Sequence, residues 1–312
     1  MNMCQSKFEI EVNRKFANLT AFVKDLPNLF SDQGNTIYTG RNVLKTYEVE
    51  GVNLVVKSFK VPIFINKIAY SYFRDSKAKR SYLHACELIK RGIDTPAPVA
   101  FINEFKCGLL YSSYYICIFE NEAQTIAPYV FGEIEDDSVL KDLAFYIAKL
   151  HRLGVYHLDL SPGNILYRQQ DGKNIFSIID INRLRFESVD KASGLLNFAR
   201  IAKSLAVSTS LARYYAEAMG YDQDEAVRTI NAVSDKFFKT KTFSFARKEV
   251  KRKYGLFYSL FGPVQLFKLT HTLRILLPKG KFKNQLFRKE KELYVNYIQF
   301  SDLRKVWQRE YE

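Results

Sequence analysis

The sequence predicts an α+β protein: a small, mostly β lobe bearing one helix, followed by a larger, mainly helical lobe. Three features carry that expectation. Residues 36 to 59, TIYTGRNVLKTYEVEGVNLVVKSF, are rich in β-branched and aromatic side chains that suit a half-buried pleated surface. Residues 75 to 91 instead place Tyr82, Ala85, Cys86 and Ile89 three and four positions apart, the spacing of one helical face. After residue 193 the chain reads mainly as helix.

In chain order, Glu50-Gly51-Val52-Asn53 supplies a turn between two strands, and Lys57 follows the apolar run Leu54-Val55-Val56. Gly92 stops the helix, and Thr95-Pro96-Ala97-Pro98 breaks the chain. Strand-like runs follow at 98 to 104 and 114 to 119, and the polar residues 120 to 124 read as a linker. SVLKDLAFYIAKLHRLGVYH, residues 138 to 157, then places Leu140, Leu143, Ala144, Ile147, Leu150 and His151 on one helical face closed by Gly154. The loop HLDLSPGNILY, residues 157 to 167, comes next. Strands at 165 to 167 and 176 to 179 flank the polar turn Gln170-Asp171-Gly172-Lys173, and Asp180 ends the second strand.

A chain of 312 residues is long for one core, so two lobes or two domains are expected. Cys4, Cys86, Cys107 and Cys117 have neither C-x-x-C spacing nor paired flanks, which argues for reduced thiols in a cytosol and against a disulfide framework or zinc. The N-terminal MNMCQSKFEIEVNRKF has no apolar core of an export signal. The net charge of +14 is local: residues 236 to 291 hold sixteen Lys and Arg against Glu249 and Glu290, and the rest of the chain is neutral. Within that segment, residues 254 to 278 are apolar but interrupted by Pro263, Lys268, His271 and Arg274, whereas a spanning helix needs about 20 nearly uncharged residues. Basic and apolar residues interleaved in this way suit an anionic membrane surface. No nucleic-acid-binding motif is present.

The loop at 157 to 167 carries the chemistry. Pro162-Gly163 forces a turn, so Asp159 and Asn164 can face one small site, and a hairpin returns Asp180 to it. Asn164 and Asp180 supply the hard oxygen donors that magnesium prefers beside substrate phosphates. Asp159 can orient an attacking hydroxyl and accept its proton. Lys57 is the cation such a site needs against a diphosphate, and together these are the parts of a phosphoryl-transfer site.

Helix, H-x-D-x-x-x-x-N, hairpin and strand-terminal Asp, after a β lobe with V-V-K and a linker, resemble the two-lobed protein-kinase-like fold. HLDLSPGNIL, IIDINRLRF, TGRNVLK, VVKSFK and RGIDTPAPVAF are similar to phrases of the bacterial lipopolysaccharide core kinases, the Kdo/WaaP family, over roughly residues 36 to 205. The resemblance implies Asp159 as catalytic base, Asn164 and Asp180 as magnesium ligands, and Lys57 on the phosphates of ATP under a covering loop, Gly40-Arg41-Asn42. The expected division is an N-lobe (1–120), whose mostly β part is read at 30 to 120, with the phosphate loop and strand lysine, a C-lobe (121–235) with the catalytic and metal-binding loops, and a basic, apolar-rich helical C-terminal extension of the C-lobe (236–312).

The departures are equally specific. Leu158 replaces the arginine of HRD, Ile181-Asn182 replaces the Phe-Gly of DFG, no A-P-E segment follows, and the phosphate loop has only Gly40. The family's helix glutamate aligns with Leu83; either Glu87, four residues on, replaces it or the ion pair with Lys57 is lost. His157 is expected to be structural. Arg183 and Arg185 are candidates to read an anionic acceptor or are a solvated pair. The expected activity is an ATP- and Mg2+-dependent kinase, peripheral on the cytoplasmic face of an inner membrane, acting on a Kdo or heptose hydroxyl of the lipid A-linked core. The alternatives are a protein or small-molecule kinase of the same fold and a catalytically inactive pseudokinase scaffold.

Overall fold

The computed structural model describes residues 6–60, 74–202 and 204–254, with side chains through residue 238 and at 240. The chain forms two compact units, Met1–Ala127 with Phe145–Asp190, and Pro128–Ala144 with Lys191–Glu312.

The first unit is built on an antiparallel sheet of β1 (Lys7–Val12), β2 (Asn35–Thr39), β3 (Val43–Val49), β4 (Val52–Ser58), β5 (Pro98–Lys106) and β6 (Leu109–Ile118), in the order β1-β5-β6-β4-β3-β2. Two hairpins of this sheet turn through residue pairs with positive φ, Glu50-Gly51 (49° and 74°) and Cys107-Gly108 (53° and 76°). Two-residue turns of this hand match the twist of the strands they join, and glycine is the residue that enters them without strain. The glutamate-glycine turn was expected from sequence. The cysteine-glycine turn lies in the stretch between the two anticipated strands, which are one hairpin of nine and ten residues.

Strand β5 is buried on both faces. Ala100 and Ile102 join Tyr47, Leu54, Val56 and Ile116 in a core completed by Leu19, Val23 and Leu26 from around helix α1 (Thr20–Leu29). Phe101 meets helix α2 (Lys77–Lys90) through the Tyr82 ring, 5.5 Å away. Each fully buried aliphatic side chain here contributes about 1.5–3 kcal/mol. β1 and α1 precede the first strand read from the sequence. Pro27 inside α1 obscures the helical signal, because proline lacks the N–H of the interior ladder. The chain just past α1 is held by Lys45 Nζ, which donates to the carbonyls of Phe30, Ser31 and Gln33 at 2.6, 3.2 and 2.9 Å.

Helix α3 (Asp137–Arg152) buries Leu140, Leu143, Ala144, Ile147, Leu150 and His151, the predicted face. Beyond it, β7 (Gln124–Thr125), β9 (Ile165–Gln170) and β10 (Lys173–Ile178) form a small sheet, and β8 (Val155–His157) pairs with β11 (Leu184–Phe186). The second unit contains α4 (Leu205–Met219), closed by Gly220 at φ 70°, and α5 (Gln223–Tyr254). Phe198 and Tyr215 pack edge to face at 4.7 Å in its core, with Ala226 and Ile230 buried. Among the described residues no helix is long and apolar enough to cross a membrane. The basic segment read at 236 to 291 lies outside the described residues beyond Tyr254.

Candidate active site

Lys57 sits in the middle of the sheet, opposite Leu44 of β3 and Tyr115 of β6. A lysine so placed is affordable only with a partner for its ammonium, and Asp180 provides it at 2.5 Å. Asp180 follows β10 in the left-handed region, φ 54°, ψ 40°. Aspartate tolerates this better than most side chains, and such strain concentrates at functional sites. Its Oδ1 accepts from Lys57 Nζ and from Asn182 Nδ2 (2.7 Å); among the described residues Oδ2 accepts no hydrogen bond. Burial pushes the Asp180 carboxyl up, but Lys57, His157 and Arg183 outweigh it and hold the group below the ordinary carboxylate range.

The 157–164 loop is fixed by backbone bonds on both sides. Ser161 O accepts from Asn164 N, and Asn164 O accepts from Ile179 N, both at 2.9 Å, which brings Asn164 beside the strand that ends in Asp180. The register Ile165↔Ile178 across β9 and β10 continues that pairing. Asn164 Nδ2 donates to Asp159 O at 2.9 Å, and with the amine so engaged the amide oxygen is the atom left to meet a cation. Asp159 N–H donates to His157 Nδ1 (3.1 Å), while His157 Nε2 donates to Ile179 O (3.2 Å). That network assigns a neutral imidazole with the proton on Nε2. Burial pushes the His157 pKa down. His157 is therefore the structural tie expected from sequence, joining the Asp159 loop to the strand before Asp180.

A cavity of about 470 Å³ opens between these elements. Leu44, Val55, Ile118, Leu166 and Ile179 give it an apolar interior, and Lys57, Asn164, Asp180 and Asn42 supply its polar groups. An apolar cavity that also holds a cation and two side chains with oxygen donors suits a nucleotide with its phosphates. The donor set, one carboxylate and one carboxamide with room for phosphate oxygens, fits magnesium. At the phosphate loop, Gly40 N–H donates to Asn42 O (3.1 Å), and Asn42 Oδ1 accepts from Lys60 N (3.3 Å). A Cβ at Gly40 would stand 2.5 Å from the hydroxyl oxygen of the exposed Tyr38, so a side chain there would displace that ring.

Helix α2 corrects one expectation. Glu87 does not meet Lys57: its carboxylate accepts from Arg91 Nε at 2.7 Å, with Lys90 at 3.9 Å. Arg91 in turn donates to Leu153 O (2.6 Å) and covers the Phe186 ring. Leu83 is 40% exposed. The α2 residue lining the cavity is Ser81, 3% exposed, whose hydroxyl donates to Lys77 O (2.9 Å). At 100° per residue Leu83 lies 200° from Ser81, and Glu87 shares Leu83's face. The helix thus presents a hydroxyl where an acid was sought. Arg80 Nη1 donates to Asn182 O at 3.0 Å and His84 Nδ1 bonds Ile181 O at 2.7 Å, so α2 grips the turn after Asp180 by its backbone. None of Lys77, Arg80, Ser81 or His84 was singled out from sequence. The alternative stripe Ala78, Ser81, Tyr82, Ala85, Leu88, which is the buried one, was the available signal.

Arg183 and Arg185 separate. Arg185 pairs with Glu187 at 3.5 Å, both more than half exposed, and is a solvated surface pair. The backbone carbonyl of Arg183 accepts from Leu158 N (3.3 Å), next to Asp159, and its guanidinium acts on Asp180.

Known proteins give this arrangement a context. The model of the lipopolysaccharide kinase (Kdo/WaaP) family matches residues 25–233. The chain is 23% identical over 180 residues to a 3-deoxy-D-manno-octulosonic acid kinase of Vibrio vulnificus (strain YJ016), covering 54% of this chain and 75% of that protein. It is similar in fold to the solved structure of WaaP in complex with acyl carrier protein, with a TM-score of 0.53 at 14% identity, over 74% of this chain and 97% of the other. The fold is protein-kinase-like, and with the family match spanning well over half of its length this chain belongs to the lipopolysaccharide kinase (Kdo/WaaP) family of sugar-hydroxyl kinases.

Proposed function

We propose that the protein transfers the γ-phosphoryl group of Mg-ATP to a Kdo hydroxyl of the lipid A-linked inner core, at the cytoplasmic face of the inner membrane. The observation that carries this is the meeting of Lys57, Asp180 and Asn164 at one cavity, with Asn164 tied directly to the Asp159 backbone. The acceptor oxygen forms a bond to the γ-phosphorus as the bond to the β–γ bridging oxygen breaks, ADP leaves, and the hydroxyl proton passes to Asp159. Lys57, held in the cavity by Asp180, meets the α,β-phosphates, and Gly40, Arg41 and Asn42 cover them. Asn164 and Asp180 would hold magnesium, which offsets charge on the phosphates when bound.

Kdo is preferred to heptose as acceptor because the similar Vibrio vulnificus protein is a 3-deoxy-D-manno-octulosonic acid kinase. Incubation of the pure protein with labelled ATP, magnesium and either Kdo-lipid A or a heptose-bearing core, followed by mass spectrometry of the product, tests the proposal. Phosphate on the Kdo residue is the expected result. Phosphate on heptose alone would move the assignment to the other sugar, and no transfer to either would overturn it.

A further inference from the structure

Strand β2 carries a bulge. Thr36 stands opposite Lys45 of β3 and Tyr38 opposite Leu44, so Ile37 is an extra residue in the ladder. In a regular strand neighbours face opposite sides of the sheet, and position 37 rather than 38 would oppose Leu44. The insertion therefore moves Tyr38 onto the row Tyr38–Leu44–Lys57–Tyr115, whose four members all line the cavity. Ile37 lines it as well, so the bulge delivers two consecutive side chains to one site. Re-aiming a side chain is what bulges beside active sites do. The re-aimed side chain here is a phenol that reaches the phosphate loop: a Cβ on Gly40 would meet the Tyr38 hydroxyl oxygen at 2.5 Å and Cζ at 2.8 Å. Gly40 is not among the glycines with positive φ, so its backbone suits other residues; what the missing side chain leaves is room for the Tyr38 ring.

The N–H of Gly40 is engaged inside the loop, by Asn42 O. Tyr38 is 54% exposed, and among the described residues its hydroxyl makes no hydrogen bond. We infer that Tyr38 is a nucleotide-binding residue whose O–H donates to a phosphate oxygen, where a loop of several glycines would offer backbone N–H groups. Gly40 then serves to seat the Tyr38 ring rather than to bring backbone to the phosphates. The inference rests on the reading of this cavity as a nucleotide site.

Calorimetric titration of Mg-ADP and of adenosine into the full chain tests this, with wild type, Tyr38→Phe, Gly40→Ala and the double variant. A phenol donating to a charged phosphate oxygen corresponds to about 10-fold in affinity. Tyr38→Phe is expected to weaken Mg-ADP by that factor and to bind adenosine as wild type does, because the ring is kept and only the hydroxyl is lost. Gly40→Ala should weaken Mg-ADP by displacing the ring, and should add nothing in the Tyr38→Phe background. Equal Mg-ADP affinity in wild type and Tyr38→Phe would overturn the inference. So would adenosine weakened as much as Mg-ADP, which assigns the hydroxyl to the nucleoside, or losses from the two substitutions that simply add, which part Gly40 from Tyr38. If wild type binds neither ligand, the nucleotide reading of the cavity fails and Tyr38 falls with it; wild-type binding with an unaffected Tyr38→Phe removes Tyr38 alone.

Discussion

Asp159 and Asp180 are carboxylates of one site with different surroundings. Asp180 is fixed by Lys57 and Asn182 and held ionised, as its proposed role of metal ligand requires; Asp159 lies half-exposed on the loop that Asn164 and His157 tie down. Asp159→Ala is therefore expected to lower turnover about 100- to 10,000-fold while leaving Mg-ATP affinity near wild type, as read by single-turnover kinetics and nucleotide titration. Asp180→Ala is expected to remove turnover and the magnesium dependence of nucleotide binding together, because it takes away the proposed metal ligand and also leaves the Lys57 ammonium without its partner. Equal Mg-ATP affinity in wild type and Asp180→Ala would refute the ligand role. The meeting of Asn164, Asp180 and Lys57 beside the Asp159 loop was legible in the sequence because it is written in residue type and local spacing. Ser81 was not, because which face of α2 turns inward depends on Phe101 and Tyr82 packing across the sheet, and an offset of two residues rotates the choice to solvent.

At the scale of elements, the 157–164 loop is held by short pieces of sheet whose Val155, His157, Ile165, Ile178 and Leu184 are buried. The three-residue pair β8–β11 sets Leu184 opposite His157, and His157 then spans from Asp159 N–H to Ile179 C=O. Protonating the imidazole would turn its Nδ1 acceptor into a donor facing another donor. Its folded pKa lies below the ordinary value of 6.5, so the unfolded chain binds the proton first as pH falls. The stability contributed by neutral His157 is then complete above about pH 6.5 and is lost as pH drops from there toward the folded value. Thermal unfolding between pH 8 and pH 5 should show the wild-type melting temperature falling below about pH 6.5. His157→Asn should be less stable at pH 8, by about 1–3 kcal/mol, with a flatter profile below it. Parallel profiles for the two proteins would show that His157 does not carry the effect. The hairpins around Gly51 and Gly172 could be read from their turn residues; β1 and α1 could not, since an edge strand with charges at alternate positions and a helix interrupted by Pro27 are defined by the core they cover.

Across the whole molecule, charge is segregated rather than spread. Residues 236 to 291 carry an excess of fourteen positive charges, while the remainder, which includes the catalytic constellation, is neutral. A neutral body with a basic, aromatic-rich segment has a charge distribution suited to the proposed acceptor, embedded among anionic lipids. Each Lys or Arg close to such a surface contributes about 1 kcal/mol, screened over about 8 Å at physiological salt, so four of them are enough to change binding by orders of magnitude. Changing Lys248, Lys251, Arg252 and Lys253 together to Gln is expected to reduce sedimentation with vesicles containing phosphatidylglycerol, and wild-type binding should itself weaken as salt rises. Phosphorylation of a membrane-embedded acceptor should slow in the variant, whereas activity on a soluble, delipidated core sugar should hold, because none of the four is among the residues proposed to bind nucleotide, metal or the attacking hydroxyl. Equal loss of both activities would make the segment part of the enzyme's own structure, and absence of wild-type vesicle binding at low salt would remove the membrane from the account.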